Sequence, residues 1–141
     1  MLSIERLNTP PTSAELEQLT KLYLSNGWIE AADGQTDSLI TQIVTHTFCF
    51  AAARDNGRII GMGRSISDGV SDAYIQDVTV LPEYRQQGIG GRIISFLVGF
   101  LQENGIGWIG LISEPGYESF YTGQGFAVMP GYTPFLYKGK S

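Results

Sequence analysis

The stretch from Tyr74 to Phe100 constrains the fold of this chain more than any other. It opens as a strand-like run, Tyr74-Ile-Gln-Asp-Val-Thr-Val-Leu81, breaks at Pro82, loops through Glu83-Tyr-Arg-Gln-Gln-Gly-Ile-Gly-Gly91 and continues as an apolar helix. A strand that turns so abruptly into a helix leaves the first N–H groups of that helix without intrahelical partners, all pointing one way. That is an anion site, and phosphate is its usual occupant.

Two familiar phosphate motifs are excluded. No Lys-Ser or Lys-Thr follows the loop, as nucleotide hydrolases require, and Gly88-Ile-Gly90-Gly-Arg-Ile93 lacks the third glycine of a dinucleotide fingerprint. The upstream context is also wrong for a dinucleotide fold, because it reads as an antiparallel meander. Phe48–Ala53 and Arg58–Ile66 are strand-like runs separated by Arg54-Asp-Asn-Gly57, with Asn-Gly as the turn, and Ala73–Leu81 follows as a third, central strand.

The remaining elements flank this meander. Leu2–Leu7 alternates as a short first strand. Ser13 is a helix N-cap for a segment with Leu16, Leu19, Tyr23 and Leu24 inward and Asn26-Gly27 as its stop. Trp28–Gly34 is a loop, and a second helix is expected over Asp37–Thr47 with Leu39, Ile43 and Val44 inward. After the glycine loop, a helix over Ile89–Asn104 carries apolar residues around most of its circumference. Gly107–Ser113 is then a buried strand reached by a helical crossover, hence parallel to the strand ending at Leu81. A short helix over Tyr117–Thr122 and two final strands, Phe126–Met129 and Thr133–Lys138, complete the chain. The order predicts an α/β (α+β) fold in one domain over residues 1–141, its sheet mixed and mostly antiparallel.

Composition narrows the function. A net charge of -5 and a pI near 4.7 argue against nucleic acid as partner, since a phosphate backbone demands a broad basic surface. One cysteine, Cys49, leaves no internal disulfide, and its place in Phe48-Cys-Phe-Ala-Ala-Ala53 reads as a buried small residue rather than a nucleophile or metal ligand. No metal site is expected. The first residues lack a charged lead before an apolar core, and no apolar run would span a bilayer, so the expectation is a soluble cytoplasmic protein.

The run Arg85-Gln-Gln-Gly88-Ile-Gly90, preceded by Val78-Thr-Val-Leu-Pro-Glu-Tyr84 and followed downstream by Phe120-Tyr-Thr-Gly-Gln-Gly-Phe126, resembles the GCN5-related N-acetyltransferase (GNAT) family. The family's pyrophosphate loop is Arg or Gln, two residues, Gly, one residue, then Gly or Ala, and Arg85, Gly88 and Gly90 meet it. The resemblance covers nearly the whole element order and implies acetyl-CoA as co-substrate. It also implies that the strand ending at Leu81 splays from the strand near Gly107, leaving Val78, Thr79 and Val80 to pair with the pantetheine arm. Arg85, Gln86, Gln87, Gly88, Ile89, Gly90, Gly91 and Arg92 would hold the pyrophosphate. A homodimer is the family habit.

The catalytic expectations follow from the same resemblance. Tyr121 matches the family's usual acid, which protonates the leaving thiolate; a phenol with a reference pKa of about 10 is protonated at neutral pH. For Asp77 a role as the base and a structural role both stand open, and Gln76 is the alternative that positions a water or the substrate. His46, the only histidine, is taken as a surface or capping residue. Glu114 stands where many members carry a cofactor-contacting Asn seven residues before the acid, so its loop is assigned to the acceptor instead. In this fold the acceptor is lined by the loop between the first two helices and by the terminal strands. Here these offer Trp28, Glu30, Asp33 and Tyr132, an acidic and aromatic set suited to a cationic or aromatic amine. Tyr74-Ile-Gln-Asp-Val with Ser113-Glu-Pro is similar to bacterial arylalkylamine-type acetyltransferases. The expected function is therefore N-acetylation of a small amine. Acetylation of a protein N-terminus or lysine, and a non-catalytic acyl-CoA-binding module, are the alternatives.

Overall fold

The computed structural model describes residues 1–30 and 32–140; Ala31, within the expected acceptor loop, and Ser141 lie outside them. The described chain divides into two compact units, Met1–Leu111 and the segment from Ile112 onward.

The first unit is a five-stranded sheet in the order β1-β2-β3-β4-β5. Its strands are β1 (Leu2–Arg6), β2 (Cys49–Asp55), β3 (Arg58–Ser67), β4 (Asp72–Val80) and β5 (Trp108–Leu111). All neighbouring pairs are antiparallel except β4 with β5. The β2–β3 hairpin turns at Asn56-Gly57, with Asn56 at φ 50, the left-handed conformation that Asn and Gly adopt most readily.

Helices cover both faces. In α1 (Ser13–Ser25) the cap is Thr12 rather than Ser13: its hydroxyl accepts from the Glu15 N–H while the Glu15 carboxylate accepts from the Thr12 N–H. The second helix, α2 (Gly34–His46), starts earlier than Asp37 because the Asp33 carboxylate accepts from the Thr36 N–H at 2.9 Å. It buries Thr36, Ile40 and Val44, while Leu39 faces solvent and Ile43 is half-buried. Val44 is thus inward as expected, and one turn earlier the buried residue is Ile40 rather than Leu39.

α3 (Ile89–Glu103) packs against β2, β3 and β4. It buries Ile89, Ile93, Ile94, Leu97 and Leu101 and leaves Phe96, Val98 and Phe100 half-buried, so one face is in the core rather than most of the circumference. A carbon added at Gly63 would lie 2.7 Å from Ile93 Cγ2, so β3 meets α3 there at the distance only a glycine permits. Met62 and Arg64 therefore face the opposite layer, where α1 lies over β3.

The second unit contains α4 (Glu118–Gly123). The two terminal strands expected over Phe126–Met129 and Thr133–Lys138 do not form: beyond Leu111 no described residue is in a strand. Pro134 removes a ladder N–H from the middle of the second run, and Pro130-Gly131 turns the chain before it. Phe135 is 92% exposed. The expected strand over Gly107–Ser113 is likewise shorter, four residues with Trp108 exposed and Ile109–Leu111 half-buried, because β5 is an edge with one neighbour.

Candidate active site

The glycine loop forms as the sequence demands. After β4 a 3-10 turn, Pro82–Tyr84, is tied back to the hairpin by the Tyr84 hydroxyl, which donates to Asp55 Oδ2 at 2.7 Å. Gln86 and Gly88 then take positive φ values of 63 and 79, and α3 begins at Ile89. The two earlier helices close their N-termini with side chains of their own; α3 does not, since its N-cap is Gly88 and no side-chain cap bond is present. Nor does its first turn contain an acid. It carries instead the exposed Arg92, a cation at the positive end of a helix dipole, where charge of that sign is disfavoured. A bound anion reverses that penalty. Gln87, Gly88 and Arg85 are exposed beside it, and Gly90 and Gly91 are half-buried. The Arg85 Nε donates to the Val80 carbonyl at 3.0 Å, which brings the guanidinium back against the end of β4.

β4 opens beside this loop. Its parallel pairing with β5 runs only from Asp72–Trp108 to Ile75–Leu111, so from Gln76 to Val80 it has β3 on one edge and no strand on the other among the described residues. The Val78 and Thr79 main chain borders that gap, as does Val80, whose carbonyl is already engaged by Arg85.

Within the gap's length the strand is irregular. The register jumps from Met62–Thr79 to Arg64–Gln76, so two residues, Asp77 and Val78, oppose the single Gly63. Asp77 sits at φ 57, a conformation Asp tolerates better than most. This bulge breaks the alternation of a regular strand. Gln76 pairs opposite Arg64 and so shares its face, the face of α1, while Ile75 pairs with Ser65 on the other. Asp77 turns to the α1 face as well: its Oδ2 accepts from Arg64 Nε at 2.7 Å and from the Tyr23 hydroxyl at 3.0 Å. Burial, and then the Asp77 charge beside it, raise the Tyr23 pKa well above the usual phenol range, so Tyr23 remains a donor. One turn later α1 ends with Asn26, whose amide donates to Thr79 Oγ1 at 2.8 Å. Sequence reasoning missed Arg64 and Tyr23. The available signal was Arg64 itself, a lone charge inside the apolar run Ile59–Ile66.

Because Asp77 holds a half-buried guanidinium at an unusual backbone position, its first effect is on the fold. Asp77→Asn keeps a residue that tolerates positive φ but leaves Arg64 without its counter-charge, and should lower stability by about 2 kcal/mol in urea denaturation.

The other expected site residues fall as follows. Trp28 is half-buried and meets Tyr23 edge-on at 5.8 Å between ring centroids; Glu30 is exposed. Asp33 is occupied as the α2 cap, and the N–H of Thr36 holds its carboxyl below the usual range. In the second unit Tyr121 is half-buried between Phe120 and Phe126, with centroids 4.9 and 6.1 Å away. Burial raises its pKa, and the charges of Glu114 and then Tyr117 push the same way. Tyr132 is 75% exposed in the turn after Met129. Cys49 is buried and its thiol is pushed up to about 11, away from nucleophilic use. No group of three or more metal-ligating side chains occurs among the described residues, and none of their helices is long and apolar enough to cross a membrane.

The model of the acetyltransferase (GNAT) family matches residues 13–126. The chain belongs to this family. As a GNAT protein it is 37% identical over 116 residues to an uncharacterized ycf52-like N-acetyltransferase of Prochlorococcus marinus, a match over 82% of this chain and 64% of that one. It is 35% identical over 80 residues to serotonin N-acetyltransferase 2, chloroplastic, of Oryza sativa, over 57% of this chain and 40% of the other. The chain thus spans less than two thirds of the length of these relatives. Among solved structures, the GNAT family protein SP0256 of Streptococcus pneumoniae superposes with a TM-score of 0.81 at 25% identity, covering 100% of both chains. The GNAT fold accounts for the mixed sheet and for the junction between β4 and α3.

Proposed function

We propose that this chain transfers the acetyl group of acetyl-CoA directly to the amine of a small molecule. The observation that carries the reading is the α3 N-terminus: without a side-chain cap, opened by a left-handed Gly88, marked by Arg92, and placed at the end of a strand whose outer edge from Gln76 on pairs with no strand among the described residues. The N–H groups from Gln87 to Gly91 suit a pyrophosphate, the Arg92 N–H being already given to the Gly88 carbonyl at 3.2 Å, and the edge from Gln76 to Val80 suits the amide-bearing pantetheine arm as an added strand. The family match crosses both structural units, which supports treating residues 1–141 as one functional domain.

In this reading the neutral amine attacks the thioester carbonyl, a tetrahedral oxyanion forms, and the C–S bond breaks as the thiolate takes a proton from the Tyr121 hydroxyl. The amine gives up its proton through water held near Gln76, and Tyr121 is reprotonated from solvent. Asp77, already shared by Arg64 and Tyr23, acts as a positioning residue that fixes the bulge. The raised pKa of Tyr121 supports its role as donor. The name of the rice relative supports an amine with an aromatic ring. The open sheet face around Tyr74 and Gln76 does not limit the acceptor's size, which favours acetylation of a protein amine as the second reading.

Free-thiol release from acetyl-CoA, measured against a panel of small amines, amino acids and peptides, tests this. Turnover confined to small amines is the expected result. Turnover of peptides alone would select the second reading, and no binding of acetyl-CoA by calorimetry would overturn both.

A further inference from the structure

The α1 face of the sheet is left uncovered at one end, where aromatic rings collect. Tyr74 on β4 and Trp108 on β5 stack at 5.1 Å between centroids with a 59° tilt, yet remain 46% and 38% exposed. The register places them on one face: Tyr74 opposes Gly110, and Trp108 lies two residues before Gly110. That glycine is needed, because an added carbon there would lie 2.5 Å from Trp108 Cη2; the indole lies across Gly110 to reach Tyr74. Asp72 pairs opposite Trp108 and so presents an exposed carboxylate on the same face. Along β4, Gln76 follows Tyr74 by two residues on that face, and there the pairing with β5 has just ended.

Large rings kept in solvent, beside an acid and at the closed end of the gap assigned to the pantetheine arm, are an exposed aromatic platform. We infer that Tyr74 and Trp108 bind the aromatic ring of the acceptor and direct its amine toward Gln76; this rests on the acetyl-transfer reading above. The spacing selects the substrate class. Two residues of strand span about 7 Å, the reach of a ring carrying a primary amine on a two-carbon arm. The acceptor is an arylethylamine. Asp72 and the ring faces favour its ammonium form on approach, before deprotonation.

The test compares tryptamine and 2-phenylethylamine with n-butylamine in the thiol-release assay, for the wild type and for Tyr74→Leu, Trp108→Leu, Tyr74→Phe and Gly110→Ala. The wild type should prefer the aryl amines by about tenfold or more in kcat/KM, the size of an aromatic contact or two. Both Leu variants should lose that preference through a raised KM for the aryl amines. Tyr74→Phe should retain it. Gly110→Ala should lose it by pushing the indole aside, and it supplies the same readout if Trp108→Leu does not fold. A preference that survives in the Leu variants overturns the assignment. So does a wild type that acetylates n-butylamine as well as tryptamine, while the acetyl-transfer reading stands. Failure to acetylate any amine overturns both.

Discussion

Arg92→Glu should make the protein slightly more stable and nearly abolish acetyl-CoA binding. The two effects have opposite signs because they read one physical quantity from two sides. The first turn of α3 holds no acid and places an exposed Arg92 at the positive end of the dipole. For folding alone that is the wrong charge, and reversing it should add about 0.5 kcal/mol, visible as a small rise in melting temperature. For a bound pyrophosphate it is the right charge, and a carboxylate there both removes an attraction and adds a repulsion. Acetyl-CoA binding by calorimetry should weaken about 100-fold or more, and the wild-type affinity should fall with salt as the variant's residual affinity does not. A variant that keeps wild-type affinity would place the pyrophosphate elsewhere. A variant that loses both stability and affinity would mean that Arg92 serves the fold.

The same junction shows what a sequence displays openly. Pro82 and Gly88 mark where a strand must stop and a helix must start, because each restricts or frees the backbone in a way other residues cannot. Asn56-Gly57 fixes the hairpin for the same reason. Side-chain patterns are weaker guides. The bulge at Asp77 leaves no trace in a period-two reading, since one extra residue changes which side chains share a face without changing their identity; only the tolerance of Asp for positive φ hinted at it. Glu15 three residues after Thr12 did announce the true cap of α1, and Gly34, a poor helix former, hid the true start of α2. Asp33 proved to be a helix cap, whereas the exposed rings of Tyr74 and Trp108 come together only through the parallel register of two strands far apart in sequence.

Tyr121→Phe should lower kcat about 100-fold while leaving acetyl-CoA affinity within a few-fold of wild type. The substitution removes one oxygen and keeps the ring that packs between Phe120 and Phe126, so α4 should keep its local structure. What disappears is a proton for the departing thiolate, and a positioned acid of this kind contributes roughly 10²- to 10⁴-fold. The pH profile gives a second, independent check. Burial is the largest cause raising the Tyr121 pKa, with Glu114 next, so the folded protein holds this phenol protonated beyond the ordinary tyrosine range. Since the active form is the protonated one, kcat should rise as the acceptor amine loses its proton and then stay level past about pH 10, falling only above it. Glu114→Gln removes one cause of the upward shift and should move that fall to lower pH without changing the plateau. If Tyr121→Phe retains the plateau rate, the proton comes from elsewhere. If instead the wild-type rate falls well below pH 10 and Glu114→Gln does not move it, the group titrating is not this tyrosine.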